Sequence, residues 1–164
     1  MSPTSEDLVA SLAGQLRELT DRSEISRLCD RYVSHMDRDR DDDAWLGSVF
    51  TEDVVLSFPF GEYKGVEGLV AFQEMGRASF AGSHHVSANH DIDLAVGGDG
   101  DRARVRAQTL AVHLKRREDP GTHFDVGGHY EALLVRTAEG WRIERFTYEV
   151  VWSNGEPPAV GTEG

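Results

Sequence analysis

The sequence predicts an α+β fold: N-terminal helices packed on a strongly bent, mostly antiparallel sheet that forms a cone with an apolar pocket. Three observations carry this reading. Apolar residues recur at helical spacing from Leu8 to Met36, strand-like patterns dominate from Val54 to Trp152, and Gly127-Gly128 interrupts one strand where a bulge bends a sheet.

The elements follow in order. Leu8, Leu12, Leu16 and Leu19 form one stripe of a first helix, which Thr4 or Ser5 caps and whose start suits Glu6 and Asp7. Asp21 with Glu24 reads as a capping box for a second helix, with Ile25, Leu28, Tyr32 and Met36 on one face. This helix is expected to end near Asp37. Ala44, Trp45, Leu46, Val49 and Phe50 suggest a short helix returning to the core.

Val54–Phe58 reads as the first strand, and Pro59 and Gly61 turn it into a short second strand around Tyr63. A helix over 65–76 interrupts, with Val66, Leu69, Val70, Phe72 and Met75 on its apolar side. Four longer strands are expected near 84–96, 102–116, 124–136 and 141–152. Gly97-Gly98-Asp99-Gly100-Asp101, Asp119-Pro120-Gly121 and Ala138-Glu139-Gly140 form the turns between them. The domain reading is a single cone over 1–152 and a loop or disordered tail over 153–164.

The chain has 164 residues, the size of one ordinary domain, with 39% apolar and 28% charged residues. No apolar run approaches the length that spans a bilayer, and the N-terminus lacks the pattern of a secretory signal. The net charge of −12 disfavours nucleic acid and anionic membranes as partners, since both need a positive footprint. Cys29 is the only cysteine, which rules out an internal disulfide and a cage of several thiolates around zinc. A reduced, cytoplasmic setting is the expectation.

No phosphate loop, dinucleotide glycine motif, nucleophile elbow or His-Glu-x-x-His is present. The acidic run from Asp37 to Asp43 lacks the glycine and the glutamate of a calcium loop, holding Asp42 and Ser48 there. We therefore read it as a solvated loop. No metal and no organic cofactor is expected.

Asp37 stands apart from that run, because it ends the helix that carries Tyr32. His84 and His85 are adjacent on a strand, so only one of them can face a pocket. His85 and Asn89 share a face if no bulge intervenes. Tyr32, Asp37 and His85 converging on an apolar pocket make a general acid–base set. The histidine moves a proton, the tyrosine polarises a substrate oxygen, and the aspartate orients and charges the histidine. Asn89, Gln108, Trp45, Phe58 and Phe72 are candidates for lining the pocket. Against this stands a plainer reading, with Tyr32 as a core aromatic and Asp37 as a surface residue at a helix end.

Three stretches resemble the SnoaL-like branch of the nuclear transport factor 2-like superfamily. They are Ile25-x-x-Leu28 with Tyr32, Asp37, Trp45 and Phe50-Thr51-Glu52-Asp53-Val54; then His85-Val86-Ser87-Ala88-Asn89; and Gly128-His129-Tyr130-Glu131 through Gly140-Trp141-Arg142-Ile143. The resemblance spans about 20–152 and implies a bent sheet behind helices. Within the superfamily the pattern is most similar to scytalone dehydratase and bile-acid 7α-dehydratase, which eliminate water without a cofactor. Their helix tyrosine, acid and strand histidine match Tyr32, Asp37 and His85. They place a further Asp or His on the next long strand, where this chain has Gln108, with His113 further along.

The resemblance implies a cofactor-independent lyase acting on a small hydrophobic oxygenated molecule, polyketide-like or steroid-like, and a homodimer or homotrimer. Alternatives on the same fold are a polyketide cyclase, an isomerase, an epoxide hydrolase or a non-catalytic binding subunit.

Overall fold

The computed structural model describes residues 1–159. The expected tail begins later than 153, because the last strand runs to Asn154, and its final part lies outside the described residues. The elements are α1 (Ser5–Arg38), α2 (Leu46–Val49), β1 (Phe50–Phe58), β2 (Gly61–Lys64), α3 (Gly65–Ser79), β3 (Gly82–Asp93), β4 (Arg102–Leu114), β5 (His123–Thr137) and β6 (Gly140–Asn154).

The two expected N-terminal helices are one. α1 runs unbroken for 34 residues. Thr4 caps it in a reciprocal box: its hydroxyl accepts from the Asp7 N–H at 3.1 Å, and the Asp7 carboxylate accepts from the Thr4 N–H at 2.9 Å. Asp21 does not cap anything. It is buried in mid-helix and accepts two hydrogen bonds from the Arg136 guanidinium, at 2.9 and 2.8 Å, and one from the Trp141 indole at 3.1 Å. Arg136 also lies 4.5 Å above the Trp141 ring. The hydrogen bonds from Arg136 hold the Asp21 carboxyl below its usual range despite its burial.

The six strands form one sheet in the order β2-β1-β6-β5-β4-β3. All pairings are antiparallel except β1 with β6. The expected bulge is present, with the β5–β6 register shifting between Gly127 and Gly128. Glycine is needed there. A Cβ on Gly127 would lie 2.1 Å from Trp152 Nε1, and one on Gly128 would lie 2.1 Å from the Glu149 carbonyl oxygen.

The core lies between the C-terminal half of α1 and the concave face of the sheet. Ile25, Leu28 and Tyr32 meet Val54, Leu56, Val105, Ala132, Leu134, Ile143 and Phe146. Burial of such side chains is the main stabilising term. α3 covers the sheet more loosely, with Leu69 its only buried residue. Among the described residues, no helix is long and apolar enough to cross a membrane.

Candidate active site

His85 belongs to a strand whose inward positions are Ser83, His85 and Ser87, while His84, Val86 and Ala88 point out. Inward alternation thus selects His85 over His84. Asp37, in the last turn of α1, meets it. One Asp37 oxygen accepts from the His85 ring Nδ1 at 2.7 Å and from the Ser83 hydroxyl at 2.8 Å; the other accepts from the His85 backbone N–H at 2.7 Å. Burial pushes the Asp37 carboxyl up, but these bonds and the His85 charge outweigh it and hold the carboxyl below its ordinary value.

The carboxylate is therefore ionised at neutral pH and can only accept. That assigns the neutral imidazole proton to Nδ1 and leaves Nε2 with its lone pair. Nε2 has no hydrogen-bond partner among the described residues. The His85 and Asp37 side chains keep 13% and 16% of their accessibility, so the pair is screened without being sealed.

Tyr32 is 4% exposed, with its ring set edge-on against Phe50 at 5.0 Å and Phe146 at 5.5 Å. It makes no hydrogen bond with Asp37 or His85, so the structure pairs two of the three expected residues and packs the third into the aromatic core. Its hydroxyl has no hydrogen-bond partner among the described residues. Burial raises its pKa, and it stays protonated as a donor.

The pocket-lining candidates divide. Phe58 and Phe72 stack at 4.7 Å across the gap between β1 and α3, and Phe58 continues to Tyr148 at 5.9 Å. Trp45 lies in the core, 6.3 Å from Tyr32, with His35 stacked on it at 4.9 Å. It backs the tyrosine. Asn89 and Gln108 do not face the core. Asn89 adopts φ 58° at a bulge between Ala88 and Asp91, which breaks the alternation assumed from His85. His90 turns inward in its place and bonds Ser26 and Ser87. Gln108 is exposed because β4 points Ala103, Val105, Ala107 and Ala111 inward. Both residues line a shallow polar groove on the convex face.

The same alternation brings in a residue that the sequence argument passed over. His113 shares the inward parity of Ala107 and Ala111 and sits edge-on to His85 at 5.3 Å. Its Nδ1 donates to the Phe124 carbonyl at 3.0 Å, and Phe80 covers its ring at 4.6 Å. Burial, then the nearby His85 charge, pushes its pKa down to about 4. His113 is thus a neutral imidazole at neutral pH. The strand parity of β4 was the signal that could have found it.

The chain is 30% identical over 128 residues to an uncharacterized protein of Mycobacterium tuberculosis strain H37Rv, covering 78% of this chain and 84% of that one. Its fold is similar to a protein of Novosphingobium aromaticivorans provisionally assigned as a scytalone dehydratase. That match has a TM-score of 0.76 and 22% identity, covering 91% of this chain and 99% of the other. It is also similar to the hexachlorocyclohexane dehydrochlorinase LinA-type3 of Novosphingobium barchaimii LL02, with a TM-score of 0.72 and 17% identity, covering 90% and 95%. At these identities the two structures speak for the fold alone. The SnoaL-like domain family matches residues 17–147 of this chain, from mid-α1 into β6. The bent sheet, the helix packed in its concavity and the matched residues agree: this protein belongs to the SnoaL-like domain family, within the nuclear transport factor 2-like superfamily.

Proposed function

We propose that the protein is a cofactor-independent lyase that eliminates water from a small, hydrophobic, oxygenated molecule, polyketide-like or steroid-like. The observation that carries this reading is the Asp37–His85 pair, with Nδ1 held by the carboxylate and Nε2 left bare. A neutral imidazole whose far nitrogen is bonded to a carboxylate is a positioned base. Nε2 takes the proton from the carbon next to a substrate carbonyl. Tyr32 donates to the carbonyl oxygen as negative charge grows there. The carbon–carbon double bond forms as the β carbon–oxygen bond breaks, and the imidazolium returns its proton to the departing hydroxyl. Water leaves, and the histidine is neutral again. Each step uses side chains alone.

The apolar walls support a ring-bearing substrate. Phe58 is stacked between Phe72 at 4.7 Å and Phe60 at 5.2 Å, so these rings pack into one apolar aromatic cluster, and Tyr148 adds a hydroxyl that accepts from Thr109 at 3.0 Å. The scytalone dehydratase-like and dehydrochlorinase-like relatives in fold are both named for eliminations, which adds support from analogy. In this reading the protein works in the cytoplasm and needs neither nucleic acid nor membrane. It forms a homodimer or homotrimer through the convex sheet face, where Val86, Leu110 and Trp152 remain 45%, 43% and 46% exposed.

The test is absorbance at the conjugated-enone band with a panel of bicyclic β-hydroxy ketones at pH 7. Turnover by the wild type that falls a hundredfold or more in His85→Ala supports the lyase. Saturable binding with the same background rate in both proteins overturns it in favour of a binding subunit.

A further inference from the structure

α1 begins well before it reaches the core. Every residue from Met1 to Thr20 is exposed, although the helix starts at Ser5. Within this segment Leu8, Val9, Leu12, Leu16 and Leu19 are 52%, 66%, 63%, 66% and 66% exposed. An isolated helix of such length is marginal in water, so a stripe of this kind asks for a partner.

The protein's own core does not supply it. Leu12 lies about half a turn around the helix from Asp21 and Leu28, which face the sheet. Val9, Leu12, Leu16 and Leu19 alternate at spacings of three and four, the a/d pattern of a two-helix seam. Ala10, Ala13 and Gly14 keep the neighbouring positions small.

We propose that this stripe pairs with the same stripe of a second copy, antiparallel, with the two-fold axis near Gly14. The stripe is complementary to itself about Gly14, Val9 to Leu19, Leu12 to Leu16 and Glu6 to Arg22, which selects a second copy as the occupant, and charge selects the direction. The chain carries −12, so a parallel seam would set two strongly acidic bodies side by side, and an antiparallel seam holds them at opposite ends. The antiparallel seam also sets Glu6 level with Arg22 of the other helix, and Asp7 level with Asp21, whose charge Arg136 of its own chain already pairs, where a parallel one sets Glu6 level with Glu6. The opposed helix dipoles favour the same choice. In this register Val9 meets Leu19 of the second copy, and Leu12 meets Leu16.

Cysteine cross-linking in the full chain tests both partner and direction, because Cys29 is buried and silent. Val9→Cys and Leu19→Cys chains, mixed and oxidised with copper phenanthroline, are expected to give a disulfide-linked heterodimer. Val9→Cys alone stays monomeric on a denaturing gel, since its two thiols lie about 15 Å apart along the seam. Adding Leu12→Lys and Leu16→Lys to both chains is expected to lower the cross-linked fraction at least tenfold; both sites are solvent-facing, so folding is undisturbed. No heterodimer, a cross-link in Val9→Cys alone, or a cross-link that survives the lysines would each overturn the proposal.

Discussion

Asp37 accepts three hydrogen bonds from two residues of β3, so it acts on His85 through both charge and direction. Asp37→Asn keeps the shape and presents an amide that cannot accept all three. Turnover is expected to fall about 10- to 100-fold, as for a lost partner behind a working histidine. The measurement is kcat with the best substrate of the enone assay, and unchanged kcat would detach Asp37 from the chemistry. His113 gives a second residue-level expectation. Its pKa of about 4 lies below the free value of 6.5, so the unfolded chain binds the proton first. Stability is therefore complete above pH 6.5 and declines as the pH falls towards 4, by at most about 3 kcal/mol. The lowered carboxyls of Asp37 and Asp21 contribute above their ordinary range, and that contribution is lost only below about pH 4. Urea titrations at several pH values are expected to show both limbs, and His113→Asn to flatten the upper one alone. The contact of Asp37 with His85 was legible from residue type and spacing. The tyrosine's distance from any partner was not, because ring packing against Phe50 and Phe146 is decided by chain segments far away in sequence.

At the scale of elements, misreadings came where a local signal had a distant owner. Asp21-x-x-Glu24 is a sound capping pattern, yet Arg136 and Trp141, 115 and 120 residues away, take the carboxylate. Asp21→Ala leaves that guanidinium and indole unpaired. With Arg136 partly exposed, the expected loss is about 2 kcal/mol, seen as a lowered urea midpoint. No change would mean that the pair contributes nothing net. Alternation failed for Asn89 because the bulge at Ala88/Asp91 is invisible locally, and it would have succeeded for β4 had its alanines been used to set the parity of Gln108 and His113. The glycine bulge was legible, since two glycines inside a strand have few other uses. Gly128→Ala is expected to destabilise by about 2 kcal/mol or more, because its Cβ would collide with backbone at Glu149. A melting temperature equal to that of the wild type would contradict that packing.

At the scale of the molecule, the order of helices and strands specified an α+β cone, and the family match agrees with it. What the order did not show was how the outward side chains assemble. Val86, Leu110 and Trp152 line up across β3, β4 and β6 because their strands are in register, with Trp152 lying over Gly127. A row of this kind on an uncovered face suits a subunit interface. Trp152→Ala is expected to weaken self-association at least thirtyfold, read by light scattering across a dilution series. The same mass for both proteins at every concentration would remove that face from the assembly.

The proposed chemistry requires that the Asp37 carboxylate fix the His85 tautomer so that Nε2 is the free base. Nitrogen-15 NMR of the imidazole ring in the neutral form tests it most directly. A protonated Nδ1 and a bare Nε2 are expected in the wild type, with that pattern lost in Asp37→Asn. A protonated Nε2 in the wild type, or identical ring spectra in the two proteins, would contradict it.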